Sequence, residues 1–324
     1  MLDCIVIGAG QAGLAVGYYL RKKGLDFVIL DAEPGPGAAW RHTWPSLTLF
    51  SNSASSNLPG WPMPHYEGFP PASHVIDYFA RYEKRYELPI RRPVTVDEVT
   101  HDGACFHVFA GEEHLTARTV VAATGTWSAP FIPYYPGTFD GRQWHSAFYP
   151  GPADFAGSTV AVVGAANSGA QIAAELLLSG VETTWYTRNS PRWMPDDVDG
   201  RVLFQRNRAR LNAMLRGEPD PGADSNLGDI VMVPPVLRAR DSGLLQATPM
   251  FSSLAEVTAD HLIWCTGFRP ALRPIRGLLD STSPTVDGLF LVGYGTWTGP
   301  GSATITGVSP FAKQTALDVA NICD

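Results

Sequence analysis

Two short glycine-bearing runs carry the clearest chemistry in this chain. Gly8-Ala9-Gly10-Gln11-Ala12-Gly13 spells G-x-G-x-x-G. In such a run the first glycine permits a tight strand-to-helix turn. The second lets the backbone approach a pyrophosphate, and the third lets helix and strand pack closely. The phosphate is held by the free N–H groups and dipole of the helix that follows. Asp31 stands 23 residues after Gly8, where an acid accepts hydrogen bonds from ribose hydroxyls. A second copy follows. Residues 6–20 align without gaps to residues 162–176, so that Gly8 matches Gly164 and Gly13 matches Gly169. In the second copy the middle glycine is Ala166, followed by Asn167 and Ser168, and its methyl should crowd a pyrophosphate slightly. The position equivalent to Asp31 is Thr187, followed by Arg188. An arginine in place of the acid suits a 2′-phosphate, with which it can pair bidentately. The first site therefore suits FAD or NAD, and the second suits NADPH.

These runs need specific elements around them. Residues 4–8 (CIVIG) read as a buried strand, Leu14–Lys23 as a helix with Gly24 as its stop, and Leu25–Leu30 as a second strand. Thr183–Thr187 reads as the matching strand of the second copy. The offset of 156 residues is too long for a solenoid repeat and right for two nucleotide-binding domains. The predicted fold class is α/β, with two Rossmann-like dinucleotide-binding domains of three layers each. Residues 1–150 and 267–324 form a discontinuous FAD domain into which an NAD(P)H domain, 151–266, is inserted.

Composition bounds the rest. The chain has 324 residues, is 45% hydrophobic and 17% charged, and carries a net charge of −7 with no basic block. These values fit a globular protein and argue against nucleic-acid binding. No segment reaches the apolar length of a membrane span, and the apolar start lacks the basic flank of a signal peptide, so a soluble cytoplasmic protein is expected. The four cysteines are scattered, with no C-x-x-C and no zinc-type Cys/His spacing, so no metal is expected. Cys4 and Cys265 fall in apolar runs and read as buried free thiols suited to a reducing compartment. Residues 45–64 read as a loop bracketed by Trp40, Trp44 and Trp61. The Arg-rich stretch Asp196–Gln246 reads as a solvated face. Residues 299–307 lead into an amphipathic helix, Phe311–Ile322.

Two further runs end in glycine: Val120–Gly125, containing Ala123-Thr124-Gly125, and Ile263–Gly267, containing Cys265-Thr266-Gly267. Just before the second fingerprint stands Phe139-x-Gly141-x-x-x-His145-x-x-x-Tyr149. With these motifs the chain resembles the flavin-containing monooxygenases, the class B flavoprotein monooxygenases, and within them short bacterial members. The family motif is F-x-G-x-x-x-H-x-x-x-[YF]. Baeyer–Villiger members end it in W-[PD], where this chain has Tyr149-Pro150. Cys265 replaces the usual Ala of the A-T-G-[YF] signature. The resemblance extends to Trp40-Arg41 and the closing Gly288–Gly295 stretch.

The resemblance implies an enzyme in which NADPH, with NADH also accepted, reduces FAD. Oxygen then adds to the flavin, and the C4a-hydroperoxyflavin transfers one oxygen atom to a small sulfide, amine or ketone. An NAD(P)H oxidase or reductase without oxygenation is the alternative. The partners implied are O2 and a small-molecule substrate, with a homodimer as the assembly allowed for. His145 is implied to position the nicotinamide and not to act as a proton-transfer base. The Asn that larger members place near the flavin aligns with Phe50, and Asn52 lies two residues on. Both enter as catalytic candidates, and a Phe in place of the Asn removes a donor, which leaves uncoupling to hydrogen peroxide open. Beyond the residues already named, Val96, Gly295 and Thr304 complete the expected cofactor contacts. With little chain left for a third domain, the substrate is expected between the cofactor domains.

Overall fold

The computed structural model describes all 324 residues, which divide into two compact units: Met1–Arg41 with Asn52–Ser128 and Pro270–Asp324, and His42–Ser51 with Ala129–Arg269.

The first unit opens with β1 (Leu2–Ile7), α1 (Gln11–Lys23) and β2 (Phe27–Leu30). The apolar run of β1 is buried from Cys4 to Ile7, as a strand with neighbours on both sides requires. Gly24 ends α1 in the left-handed conformation, φ 73°, and its N–H closes on the Arg21 carbonyl. After α2 (Ala72–Arg85) and β3 (Ile90–Arg91) come β4 (Glu98–His101), β5 (Phe106–Ala110) and the ten-residue β6 (Glu113–Ala122).

The second unit contains β7 (Arg142–His145), β8 (Thr159–Val163), α3 (Asn167–Leu178), β9 (Glu182–Thr187), α4 (Gly200–Arg216), α5 (Pro234–Asp241), β10 (Ala247–Pro249) and β11 (His261–Trp264). The chain then returns to the first unit for β12 (Leu279–Asp280), β13 (Ser283–Pro284), β14 (Leu289–Leu291) and α6 (Ser309–Cys323).

The first sheet runs β3-β2-β1-β6-β5-β4, with β14 also on β6. Its β3, β2, β1, β6 and β14 are parallel, and β4-β5-β6 is an antiparallel meander. The length of β6 allows both pairings: residues 113–117 face β5, and 120–122 face β14. One cluster joins Ile5, Ile7, Val28 and Leu30 to Phe106, Val108 and Ile275, while α1 and α6 pack together and against the strands. The second sheet is wholly parallel, β10-β9-β8-β11-β7. Its α3 packs on α5, β8 and β9, and a second cluster gathers Ala161, Val163, Phe251 and Trp264.

Residues 129–150 group with the second unit because β7 pairs in register with β11, Arg142 against His261 through His145 against Trp264. The break in compactness therefore falls at 128/129, ahead of the 150/151 boundary expected from sequence. The Arg-rich stretch is ordered. Asp199 caps α4 by accepting from the Val202 N–H at 3.2 Å, and Arg210 and Arg240 pair with Asp220 and Asp196. Residues 45–64 hold no helix or strand beyond the 3-10 turn Ser53–Ser55, with an isolated antiparallel bridge between Leu58 and Trp61.

Candidate dinucleotide-binding site

The two fingerprints are matched in space as they are in sequence. A Cβ placed on Gly8 would lie 2.5 Å from the Ala123 carbonyl oxygen, and one on Gly164 would lie 2.4 Å from that of Cys265. Each first glycine thus exists because the neighbouring strand's A-T-G or C-T-G end crowds it. The third glycines repeat the pattern. A Cβ on Gly13 or Gly169 would fall 1.8 or 2.1 Å from the carbonyl of its own first glycine. The A-T-G signature is therefore the other half of the turn.

The middle glycine is different. A Cβ on Gly10 would meet only Ala38 Cβ, at 3.5 Å, an ordinary contact. The backbone there, φ −77°, is open to any residue. Nothing in the protein demands glycine at this point, so the space beside it suits an approaching pyrophosphate. Neither α1 nor α3 has a side-chain cap at its N-terminus, which leaves N–H groups for a phosphate. Gln11 ties this end of α1 to the closing loop by donating to the Ala303 carbonyl at 2.9 Å, and Ala12 packs beneath Gly293. Thr124 Oγ1 donates to the Ala271 carbonyl at 2.8 Å and lies 2.6 Å from the Tyr294 hydroxyl, while the Gly125 carbonyl accepts from Ala271 N–H. Farther along, Gly295 O accepts from Ser302 Oγ at 2.8 Å, and Thr304 Oγ1 donates to the Gly301 carbonyl. These residues fit an FAD dinucleotide.

Asp31 stands at the end of β2, as expected, but it is buried and already engaged. Oδ1 accepts from Ala9 N–H at 3.4 Å, and Oδ2 from Arg92 Nε at 2.5 Å. Arg92 in turn donates to both oxygens of Glu83 at 2.8 and 2.7 Å, and burial pushes the Glu83 carboxyl upward. Arg92 and Glu83 had no sequence signal, since their meeting with Asp31 depends on β3 pairing with β2. Arg41 pairs with Glu33 and donates to the Pro36 carbonyl beside Trp40. Val96 has its side chain in the first unit's core, so a cofactor contact from this position falls to its backbone.

In the second unit a cavity of about 540 Å³ opens at the start of α3, within the roughly 300–1,000 Å³ usual for ligand sites. Its walls include Gly164, Ala166, Asn167, Ser168, Arg188 and Gly267. Asn167 Oδ1 accepts from Val231 N–H, and an Arg188 N–H donates to the Tyr135 hydroxyl at 3.4 Å. The Arg188 side chain is exposed just beyond the end of β9, on the wall of this cavity. A phosphate at this rim fits.

The Phe139–Tyr149 motif is architectural. A Cβ on Gly141 would strike the Asp260 carbonyl at 2.4 Å, and Arg142 N–H donates to that carbonyl at 2.9 Å. Gly141 thus lets β7 join β11. Phe139 packs on the second cluster. His145 is buried. Its Nδ1 accepts from Ala147 N–H at 3.1 Å, and its Nε2 donates to the Gly267 carbonyl at 3.0 Å. This is the neutral imidazole that burial favours by lowering its pKa. It pins the C-T-G loop, whose Thr266 Oγ1 donates to the Phe131 carbonyl.

Tyr149, expected at the cofactor, is a core residue. It is 3% exposed, stacked on Phe155 and edge-on to Trp44. Phe50, expected at the flavin, packs on Phe204 of α4, and its carbonyl accepts from Gly200 N–H at 2.7 Å. Asn52 caps the 3-10 turn by accepting from Ser55 N–H at 3.0 Å. Phe50 is thus held by the α4 region and Asn52 by its own turn.

Cys4 and Cys265 are buried and free, and burial pushes the Cys4 thiol up to about 12. No helix is long and apolar enough to cross a membrane.

Two paired dinucleotide turns, each between parallel strands of its own sheet, define a tandem dinucleotide-binding oxidoreductase. The chain matches the pyridine nucleotide-disulphide oxidoreductase family over residues 5–285. It is 31% identical to the uncharacterized oxidoreductase CzcO of Bacillus subtilis, over 97% of both chains. It is 30% identical to the indole-3-pyruvate monooxygenase YUCCA1 of Oryza sativa, over 62% of this chain and 51% of that one. The flavin-containing monooxygenase of Stenotrophomonas maltophilia superposes with a TM-score of 0.87 at 44% identity, over 100% of this chain and 99% of the other. The chain belongs to the pyridine nucleotide-disulphide oxidoreductase family and, within it, to the flavin-containing monooxygenases. It is an NAD(P)H-dependent flavoprotein monooxygenase whose cofactors are FAD and NADPH.

Proposed function

We propose that the first unit holds FAD, that the second holds NADPH, and that the enzyme oxygenates small soft nucleophiles, sulfides and amines first and ketones second. The observation that carries this reading is the asymmetry between two otherwise matched turns: Gly10 with Asp31 in one, Ala166 with Thr187 and Arg188 in the other. When bound, FAD supplies the redox chemistry, taking a hydride from NADPH and passing electrons to O2 so that one oxygen atom reaches the substrate and the other leaves as water.

The chain's own residues bind and orient. The N–H groups opening α1 hold the FAD pyrophosphate, and those opening α3 hold that of NADPH. Asp31, paired with Arg92, accepts from the FAD ribose. Arg188 donates to the 2′-phosphate, and NADH, lacking it, binds without this contact. His145 neither gives nor takes a proton. It holds Gly267 in place at the wall of the second cavity.

The test is to follow NADPH consumption, sulfoxide and hydrogen peroxide together with an aryl methyl sulfide as substrate. Sulfoxide formed in step with NADPH supports the reading. Peroxide as the sole product across sulfides, amines and ketones overturns it. That second outcome is an NAD(P)H oxidase, which Phe50 favours, since it packs on Phe204 and carries no amide donor.

A further inference from the structure

The connection between β4 and β5 gathers donors that the redox chemistry does not use. Asp102 Oδ2, Cys105 Sγ and His107 Nε2 all lie within 4.8 Å of one another. His107 Nε2 is 2.9 Å from Asp102 Oδ2 and 3.8 Å from Cys105 Sγ. The local sequence makes this convergence. Cys105 immediately precedes β5 and His107 is its second residue, so their i, i+2 spacing puts both on one face, while Phe106 and Val108 fill the core. Asp102 is turned back toward them because its other oxygen, Oδ1, accepts from Ala104 and Cys105 N–H at 2.8 and 2.9 Å.

The arrangement is unsuited to nucleophilic catalysis. A thiol–imidazole–carboxylate relay needs the thiol and the acid on different ring nitrogens. Here both face Nε2. Three donors aimed at one point instead describe chelation. A tetrahedral zinc ion spaces its nitrogen, oxygen and sulfur ligands roughly 3.3–3.6 Å apart, between the two separations found.

The outer support is also present. His107 Nδ1 lies 2.9 Å from His114 Nε2, with the rings stacked at 5.1 Å, and His114 stacks in turn on Phe109 at 4.7 Å. A ligating imidazole characteristically donates its other N–H to a fixed acceptor, and His114 Nε2 is placed to be that acceptor. Asp102 and His107 are partly exposed, at 51% and 24% of their side-chain surface, so an ion has a route in and a position for water.

We propose that Asp102, Cys105 and His107 form a surface site for one zinc-type divalent cation, with His114 as the positioning residue behind His107. A cation of this borderline character suits the mixed thiolate, imidazole and carboxylate set, whereas magnesium or calcium would require oxygen donors. On binding, the Cys105 thiol releases its proton to solvent, His107 ligates through Nε2 as the Nδ1–H tautomer that donates to His114, and no redox step is involved. The site belongs to the first unit and does not depend on the substrate.

The experiment is a calorimetric titration of chelator-treated, FAD-loaded protein with Zn2+, paralleled by Co2+ difference spectra at wavelengths beyond the flavin bands. One equivalent should bind, and Co2+ should show tetrahedral, thiolate-ligated absorption. Cys105→Ser and His107→Gln should each abolish both signals, Cys323→Ser should keep them, and His114→Phe should weaken Zn2+ by about 10- to 100-fold. Flavin content and melting temperature, measured on each variant, confirm that it folds; should Cys105→Ser fail to fold, Asp102→Asn replaces it. The proposal is overturned if the wild type takes up no Zn2+, or if folded variants bind as the wild type does.

Discussion

Arg92 Nε donates to Asp31 Oδ2 across 2.5 Å, with only 12% and 6% of the two side chains exposed, and the rest of the guanidinium is gripped by Glu83. The acid that the fingerprint supplies is therefore half of a buried ion pair before any ribose reaches it. Removing one member of such a pair leaves a buried charge uncompensated, at a cost of about 3–5 kcal/mol. Arg92→Met should lower stability by that amount in denaturant unfolding and reduce bound FAD. A midpoint and flavin content like those of the wild type would refute the assignment.

The glycines separate ligand from fold. Gly8→Ala forces a methyl into the Ala123 carbonyl at φ 101° and should give misfolded or insoluble protein. Gly10→Ala meets no protein backbone, so the chain should fold with near-native melting of the apoprotein yet retain less FAD. Equal damage from the two substitutions, read by circular dichroism and flavin absorbance, would show that Gly10 serves the fold.

Arg188→Ala tests nicotinamide choice. Loss of a charge-assisted hydrogen bond to the 2′-phosphate weakens binding by about 10- to 150-fold. KM for NADPH should rise within that range while KM for NADH stays nearly level. A parallel rise in both would remove the 2′-phosphate from the argument.

His145 gives stability a direction in pH. Burial holds its pKa below the ordinary 6.5. As pH falls through 6.5 the unfolded chain takes up a proton that the native protein does not, so stability declines until the lowered native value is passed. Above 6.5 the contribution is whole. His145→Gln should flatten this part of the profile, seen as a smaller drop in melting temperature between about pH 7.5 and about pH 5.5. An unchanged drop would assign the acid sensitivity elsewhere.

Much of the fold was legible because it is local. Helix α1, with its glycine stop, runs Gln11–Lys23 against an expected 14–23. Strand β9 is Glu182–Thr187 against 183–187, and α6 is Ser309–Cys323 against 311–322. Each follows from period, cap and breaker within a dozen residues. The surroundings of Tyr149 are nonlocal and so were not legible: Phe155 and Trp44 pack against its ring in the core. The donors on the β4–β5 connection lacked familiar zinc spacing.

What the sequence by itself determined is the pair of dinucleotide turns and their difference in charge. Turn geometry and the residue at the end of the next strand are set by neighbours within some 25 positions. What only the tertiary structure decided is which groups meet across larger separations: Arg92 with Asp31, His145 with the Gly267 carbonyl, Gly8 with the Ala123 carbonyl. Those meetings depend on strand order and register, which arise when sheets bury their faces and which no short stretch of chain encodes alone.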